Sequence, residues 1–176
     1  ELYDLRVDPY EVDNLAAMIR TIAAPAKREG QQLVFRATFE DAGVLDTHTA
    51  KVLWSDGTPS KGIVQESSGT GTVRATHIYG DNGVYPVRLT LADSDGAFSS
   101  RRVNARISNV APTLTATRSI ELPTAAEGHA VGAVVISGSF TDPGFNQPKA
   151  KTKESFAVTI DWGDGSVDVF APTVVQ

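Results

Sequence analysis

Cysteine is absent from this 176-residue chain. That excludes disulfides, thiolate metal sites and cysteine nucleophiles. Small secreted eukaryotic domains commonly lean on disulfides, so the absence points towards a bacterial or archaeal extracellular protein. Methionine occurs once, and long apolar runs of helical period are missing, which argues against a helical bundle. No stretch approaches the roughly 18 apolar residues needed to span a membrane, so membrane insertion is not expected. None of the five asparagines begins an Asn-x-Ser/Thr sequon. Basic residues are in deficit, with Lys+Arg 16 against Asp+Glu 21, a net charge of −5 and a pI near 5.1. Nucleic acid is therefore not an expected partner, because no basic face is evident to release counterions.

Catalytic patterns are missing as well. The three histidines are His48, His77 and His129. None lies two or four residues from another, so the helical and strand zinc pairs do not occur. There is no Gly-x-Ser-x-Gly elbow. Gly69-Thr70-Gly71 lacks the Lys-Ser/Thr ending of a phosphate loop. His77 sits on an expected strand beside Tyr79 and reads as a packing or hydrogen-bonding residue. No enzymatic activity is expected of this segment.

What is present is a β pattern. Leu33, Phe35, Ala37 and Phe39 alternate with Val34, Arg36, Thr38 and Glu40, the period of a half-buried strand. His48 to Trp54 follows, with Ala50, Val52 and Trp54 on one face. Gly62–Glu66 and Thr72–Tyr79 form a hairpin across residues 67–71. Tyr85, Val87, Leu89 and Leu91 face one way in the clearest strand of the chain. Pro86 within it lacks a donor, which requires a free position or a bulge there. Asp93-Ser94-Asp95-Gly96 turns into a closing strand from Phe98 to Ile107. About seven strands between residues 20 and 108 match an antiparallel sandwich of immunoglobulin type. Residues 13–22 are ambiguous between a capped helix and, preferred here, a strand over 5–13 followed by a linker over 14–19.

The chain then starts over. Glu29-Gly30 recurs as Glu127-Gly128, Phe39-Glu40-Asp41-Ala42-Gly43 as Phe140-Thr141-Asp142-Pro143-Gly144, and Trp54-Ser55-Asp56-Gly57 as Trp162-Gly163-Asp164-Gly165. Landmarks repeated in one order mark a duplicated unit. The second copy carries seven extra residues within 145–155. Each Asp-Gly pair is a strong turn signal, since Gly accepts positive φ and Asp bonds nearby backbone N–H groups. A Trp-Asp pair could also serve as a sugar or metal platform. The simpler account places each Trp in a core beside a hairpin turn. The second copy breaks off 11 residues after Gly165, without the later strands of the first. Such a half-sandwich would expose strand edges. The expectation is a piece of a longer chain, or completion by a strand from residues 1–13 or from elsewhere.

These motifs resemble tandem polycystic-kidney-disease-type (PKD) domains of bacterial surface and secreted proteins. The resemblance rests on the two Trp-x-Asp-Gly turns, on His77-Ile78-Tyr79, on Gly83-Val84-Tyr85-Pro86-Val87-Arg88-Leu89, on Asp93-Ser94-Asp95-Gly96 and on the Phe-x-Asp-x-Gly landmarks at Phe39 and Phe140. Ser55 departs from the glycine usual there. The resemblance implies an all-β chain of immunoglobulin-like antiparallel sandwiches in tandem, the second incomplete. Residues 1–19 would end a preceding unit or form a linker, 20–108 a full sandwich, 109–112 a linker and 113–176 a partial second sandwich.

It also implies a structural or adhesive segment of a large extracellular or cell-surface protein. Its partners would be neighbouring repeats and a protein or glycan ligand. The alternative is an accessory substrate-binding module of a secreted protease or polysaccharide-degrading enzyme. No cofactor is required. Calcium is the one candidate ion, because Asp, Asn and backbone carbonyls offer the hard oxygen ligands it takes, and PKD-type domains sometimes bind it at strand junctions. Asp93 and Asp95 in one turn, and Asp81 and Asn82 in another, are the candidate ligands. Each also reads as an Asp-capped turn. Asp41 and Asp142 occupy equivalent loops. Exposed aromatics suited to a ligand are Tyr10, Phe145 and Phe170, and Lys149, Lys151 and Lys153 make a local basic loop.

Overall fold

A computed structural model describes residues 15–117, 138–149 and 152–174. The expected strand over 5–13, Tyr10, Glu127-Gly128, His129 and Lys151 lie outside them. The described residues form strands and no helix, so no helix is long and apolar enough to cross a membrane. The strands are β1 (Met18–Ala23), β2 (Lys27–Arg28), β3 (Gln32–Glu40), β4 (His48–Leu53), β5 (Pro59–Ser67), β6 (Thr70–Ile78), β7 (Gly83–Asp93), β8 (Phe98–Ser108), β9 (Thr113–Thr117), β10 (Gly138–Thr141), β11 (Val158–Asp161) and β12 (Val167–Phe170).

The first eight strands make one curled sheet in the order β1-β3-β6-β5-β4-β7-β8-β2. β5 closes the curl. Its first half, Pro59 to Gly62, pairs with β4, and its second half, Ile63 to Ser67, pairs with β6. Gly62 sits at the change of partner, where an added Cβ would lie 2.7 Å from both Ala50 and Val73. The two halves of the sheet thus face each other in an immunoglobulin-like arrangement. Arg101 on β8 reaches across to β1 and donates to the carbonyls of Ile19 (2.9 Å) and Arg20 (2.8 Å).

The period-two strands bury the faces expected of them. Leu33, Phe35, Ala37, Phe39, Val52, Trp54, Val87, Leu89 and Leu91 are all buried, and burial of each large side chain stabilises by about 1.5–3 kcal/mol. Pro86 needs no special bulge. β4 pairs with β7 only as far as Leu53↔Arg88, so Pro86 lies beyond the end of that ladder while remaining in register with Asn104 of β8.

Three expectations change. Residues 18 and 19 are not linker: β1 begins at Met18 and pairs with β3, and Ala17 and Ile19 join the core. The sandwich therefore starts before residue 20. Trp162 is not a core residue: it is 40% exposed, whereas Trp54 is fully buried. The strands described around Trp162 are only the β11–β12 hairpin and the separate β9–β10 pair. Phe98 is 68% exposed and was absent from the candidate exposed aromatics.

Candidate functional site

The Asp-Gly turn after β4 is built from its backbone outwards. Ser55 and Gly57 both adopt positive φ, 67° and 84°. Asp56 Oδ1 accepts from the Thr58 amide (3.0 Å) and the Thr58 hydroxyl (2.5 Å). The Asp56 side chain is fully buried, and its Oδ2 lies 2.5 Å from His77 Nε2. Burial alone would raise this carboxyl. The hydrogen bonds from His77 and Thr58 outweigh it and bring the pKa down to about 2. His77 stacks on Trp54 with centroids 4.8 Å apart. Tyr79 donates to the Trp54 carbonyl at 2.9 Å and stacks on Tyr85. Burial pushes the Tyr79 hydroxyl well up and the Tyr85 hydroxyl to about 12. The Asp–His pair thus holds the turn after β4.

The turn geometry recurs in the second copy. Trp162 N–H donates to the Ser166 carbonyl at 3.2 Å, as Trp54 does to Thr58 at 3.2 Å. Asp164 Oδ1 accepts from the Ser166 amide and hydroxyl. Gly163 and Gly165 have φ of 79° and 90°. Ser55 thus holds, at some strain, a left-handed position that glycine fills in the other copy. Phe39 and His48 lie with ring centroids 4.7 Å apart, and Phe140 and Phe156, at the matching positions, lie 4.8 Å apart. Asp41 caps Gly43 N–H, and Asp142 caps Gly144 N–H.

The candidate calcium ligands separate into two groups. Asp93 joins Asp41 and Asp46, with carboxylate oxygens within 4.8 Å of one another. Beside them His48 bridges two carboxylates, with Nε2 2.7 Å from Asp41 and Nδ1 2.7 Å from Glu66. Asp93 also caps its own turn, accepting from the Asp95 and Ala97 amides. Asp95 is exposed and is not brought into the group. Asp81 joins Glu29 and Glu154 within the same 4.8 Å, and Asn82 is exposed. Sequence reasoning missed Glu29, Asp46 and Glu154 as members. The available signal was positional: Asp46 and Glu154 each stand eight residues before a tryptophan of the repeated turn.

The loop of residues 143–149 folds back on the sandwich. Phe145 N–H donates to the Gly80 carbonyl at 2.8 Å, and Gln147 Nε2 reaches Asp56 Oδ2 at 3.2 Å. An added Cβ at Gly30 would lie 2.7 Å from the Pro143 carbonyl, and one at Gly80 only 2.4 Å from that of Phe145. Lys149 packs its stem over Gly57. Phe145 and Phe170 are 37% and 48% exposed.

A curled sheet, antiparallel except where β2 pairs parallel with β8, closed by a partner-switching strand and carrying a tryptophan turn locked by a buried Asp–His pair, defines an immunoglobulin-like β-domain. The PKD domain family model matches residues 16–107, and the chain belongs to that family. Among solved structures it is similar to the PKD domain of an M14-like peptidase from Thermoplasmatales archaeon SCGC AB-540-F20. That likeness has 22% identity and a TM-score of 0.46, and covers 54% of this chain and 98% of that one. No curated protein matches the chain.

Proposed function

We propose that the chain is a tandem PKD segment of a large extracellular protein, acting as a non-catalytic spacer and as a platform for protein or glycan partners. One observation carries this reading: the loop of residues 143–149 is keyed into the turns of the preceding sandwich at Gly30, Gly57 and Gly80. A spacer needs such a junction, because units joined only by a short linker swing freely and transmit no direction. The linker Asn109-Val110-Ala111-Pro112 supports it further. Val110 N–H is tied to Glu29 Oε1 (2.5 Å), and proline restricts the backbone beside it. The matching turn geometry at Trp54 and Trp162 supports the tandem reading.

The test is rotational. Backbone 15N relaxation on the whole chain should give residues 18–108 and 138–170 one correlation time. Gly80→Ala should split it, because the added methyl displaces Phe145, while the melting temperature of the sandwich stays unchanged. Independent tumbling of the two segments in the unaltered chain would overturn the spacer proposal.

A further inference from the structure

One outer face of the sandwich is basic, although the chain as a whole carries a net charge of −5. It is made by the first half of β5 with β4, β7 and β8. Lys61 on β5, Lys51 on β4, Arg88 on β7, and Arg102 and Arg106 on β8 are all exposed there. No Asp or Glu is exposed on these strand segments; Asp93, at the end of β7, is buried. The register sets like charges against each other: Lys51 lies opposite Lys61, and Arg88 opposite Arg102. Like charges directly opposed destabilise a sheet, and among the described residues none of the five cations has an ion-pair partner. The stability of the sandwich therefore does not account for this arrangement. With strands about 4.8 Å apart and about 3.4 Å per residue, the cations form an oblique stripe roughly 25 Å long from Lys61 to Arg106. Thr49, Thr90, Ser100 and Asn104 stand beside it on the same face. The exposed Phe98, opposite Ala92, lies at one end. A hollow of about 790 Å³, partly bounded by Thr49, Lys51, Lys61, Thr90 and Ala92, adjoins the place where β5 leaves β4.

We propose that this face binds a linear polysaccharide bearing carboxylate groups, a polyuronate chain laid along the stripe. Charge complementarity selects the partner. A guanidinium meets a carboxylate through two parallel hydrogen bonds, and the lysines add point charges. The hydroxyl and amide side chains suit the hydroxyls of sugar rings, and Phe98 offers one of those rings an apolar surface. A nucleic-acid strand calls for several aromatic platforms for its bases, and Phe98 is the one aromatic residue exposed on these strands. An acidic protein calls for aromatic or apolar anchors at the centre of the patch, where Lys51, Thr90 and Arg88 stand. No run of the sequence displays the stripe, because its five cations are drawn from four strands.

This reading names the partner in the platform half of the function proposed above, and it is independent of the rigid junction, so binding and tumbling are measured separately. An oligogalacturonate is titrated into the full chain by calorimetry at about 0.01 M and about 0.15 M salt, with a neutral malto-oligosaccharide and an oligothymidylate as comparisons. Wild-type protein should bind the oligogalacturonate in preference to both, and more weakly at the higher salt. Arg88→Gln and Lys51→Gln should each weaken binding roughly tenfold, the scale of one charge-assisted contact. Both residues are exposed, so the fold should be unaffected. Arg36→Gln, an exposed change on β3 in the other half of the sheet, should leave binding unchanged. The proposal is overturned if wild-type protein binds no oligogalacturonate at the lower salt, or if the oligothymidylate binds as tightly. A dimer seen by sedimentation and abolished by Arg88→Gln would also overturn it, by assigning the face to a second copy of the chain. Binding that survives the double change of Arg88 and Lys51 would keep a glycan platform and reject this face. Binding that depends on Arg88 in a chain whose segments tumble independently would uphold the face and reject the rigid spacer.

Discussion

Replacing Asp56 by alanine removes the centre of the tryptophan turn. Lost are the acceptor for the Thr58 amide and hydroxyl, the partner of His77 at 2.5 Å and the contact to Gln147. A hydrogen bond to a charged group contributes about 1.5–3 kcal/mol, and a buried donor left unsatisfied costs about 1–3 kcal/mol. The His77 side chain is 13% exposed, so water relieves part of that cost. Together the expected loss is about 3–4 kcal/mol, a large share of a domain's usual 5–15 kcal/mol. Urea denaturation followed by circular dichroism should show it as a lower midpoint at constant slope. Asp164, the equivalent residue in the second copy, is exposed. Asp164→Ala should leave that midpoint unchanged. The pH dependence supplies an independent check. The folded carboxyl titrates at about 2 against an ordinary 3.8, a shift equivalent to about 2 kcal/mol. This contribution is fully present above pH 3.8 and is lost as pH falls through about 2. Asp56→Asn should therefore be destabilised at pH 7 and lose much of its deficit relative to wild type near pH 2. A cost below about 1 kcal/mol for Asp56→Ala, or an equal cost at Asp164, would refute the buried network as the lock on the turn.

Two further substitutions test other parts of the sandwich. His48→Phe installs the residue that the second copy carries at Phe156 and keeps a ring against Phe39, yet it strands the buried Asp41 carboxylate. It should cost about 3–5 kcal/mol, the scale for breaking a buried pair, read by urea denaturation. Gly71→Ala places a methyl 2.3 Å from the Phe39 ring, which is itself buried. Overpacking of about 1–3 kcal/mol should outweigh the small entropic gain of alanine and lower the melting temperature.

The strands that form the core were legible because each buries one face, so β3, β4 and β7 show period two without interruption. β1 was not. Only Ile19 of its six residues is buried, and its register with β3 shifts between Ile19 and Thr21, which destroys the alternation. The change of partner in β5 was hidden for a different reason: one face, Ser60, Gly62 and Val64, is half-buried throughout, and the alternation runs unbroken past Gly62, where the partner changes. At the acidic groups, local reading chose neighbours in sequence, Asp93 with Asp95 and Asp81 with Asn82. The fold instead groups carboxylates from separate turns, and the exposed Asp95 is not among them. Glu29, Asp81 and Glu154 lie more than fifty residues apart in sequence, so no window could have joined them.

The two matching loops differ in the ring that packs beside their carboxylates. In the first, the loop carboxylates Asp41 and Asp46 stand beside His48, whose ring nitrogens meet Asp41 and Glu66. Asp41 thereby has a side-chain partner inside its own sandwich. In the second copy Asp142 and Glu154 hold the same loop positions, while phenylalanine replaces the histidine at position 156 and offers no donor. The aromatic packing survives the change, with centroid distances of 4.7 and 4.8 Å. Asp142 and Glu154 lie beside Glu29 and Asp81 of the sandwich, and burial, with repulsion from these carboxylates, pushes the Glu154 carboxyl up to about 7. Exchanging an imidazole for a benzene ring thus keeps the aromatic packing and removes the ring-nitrogen partner that the matching loop carboxylate, Asp41, has.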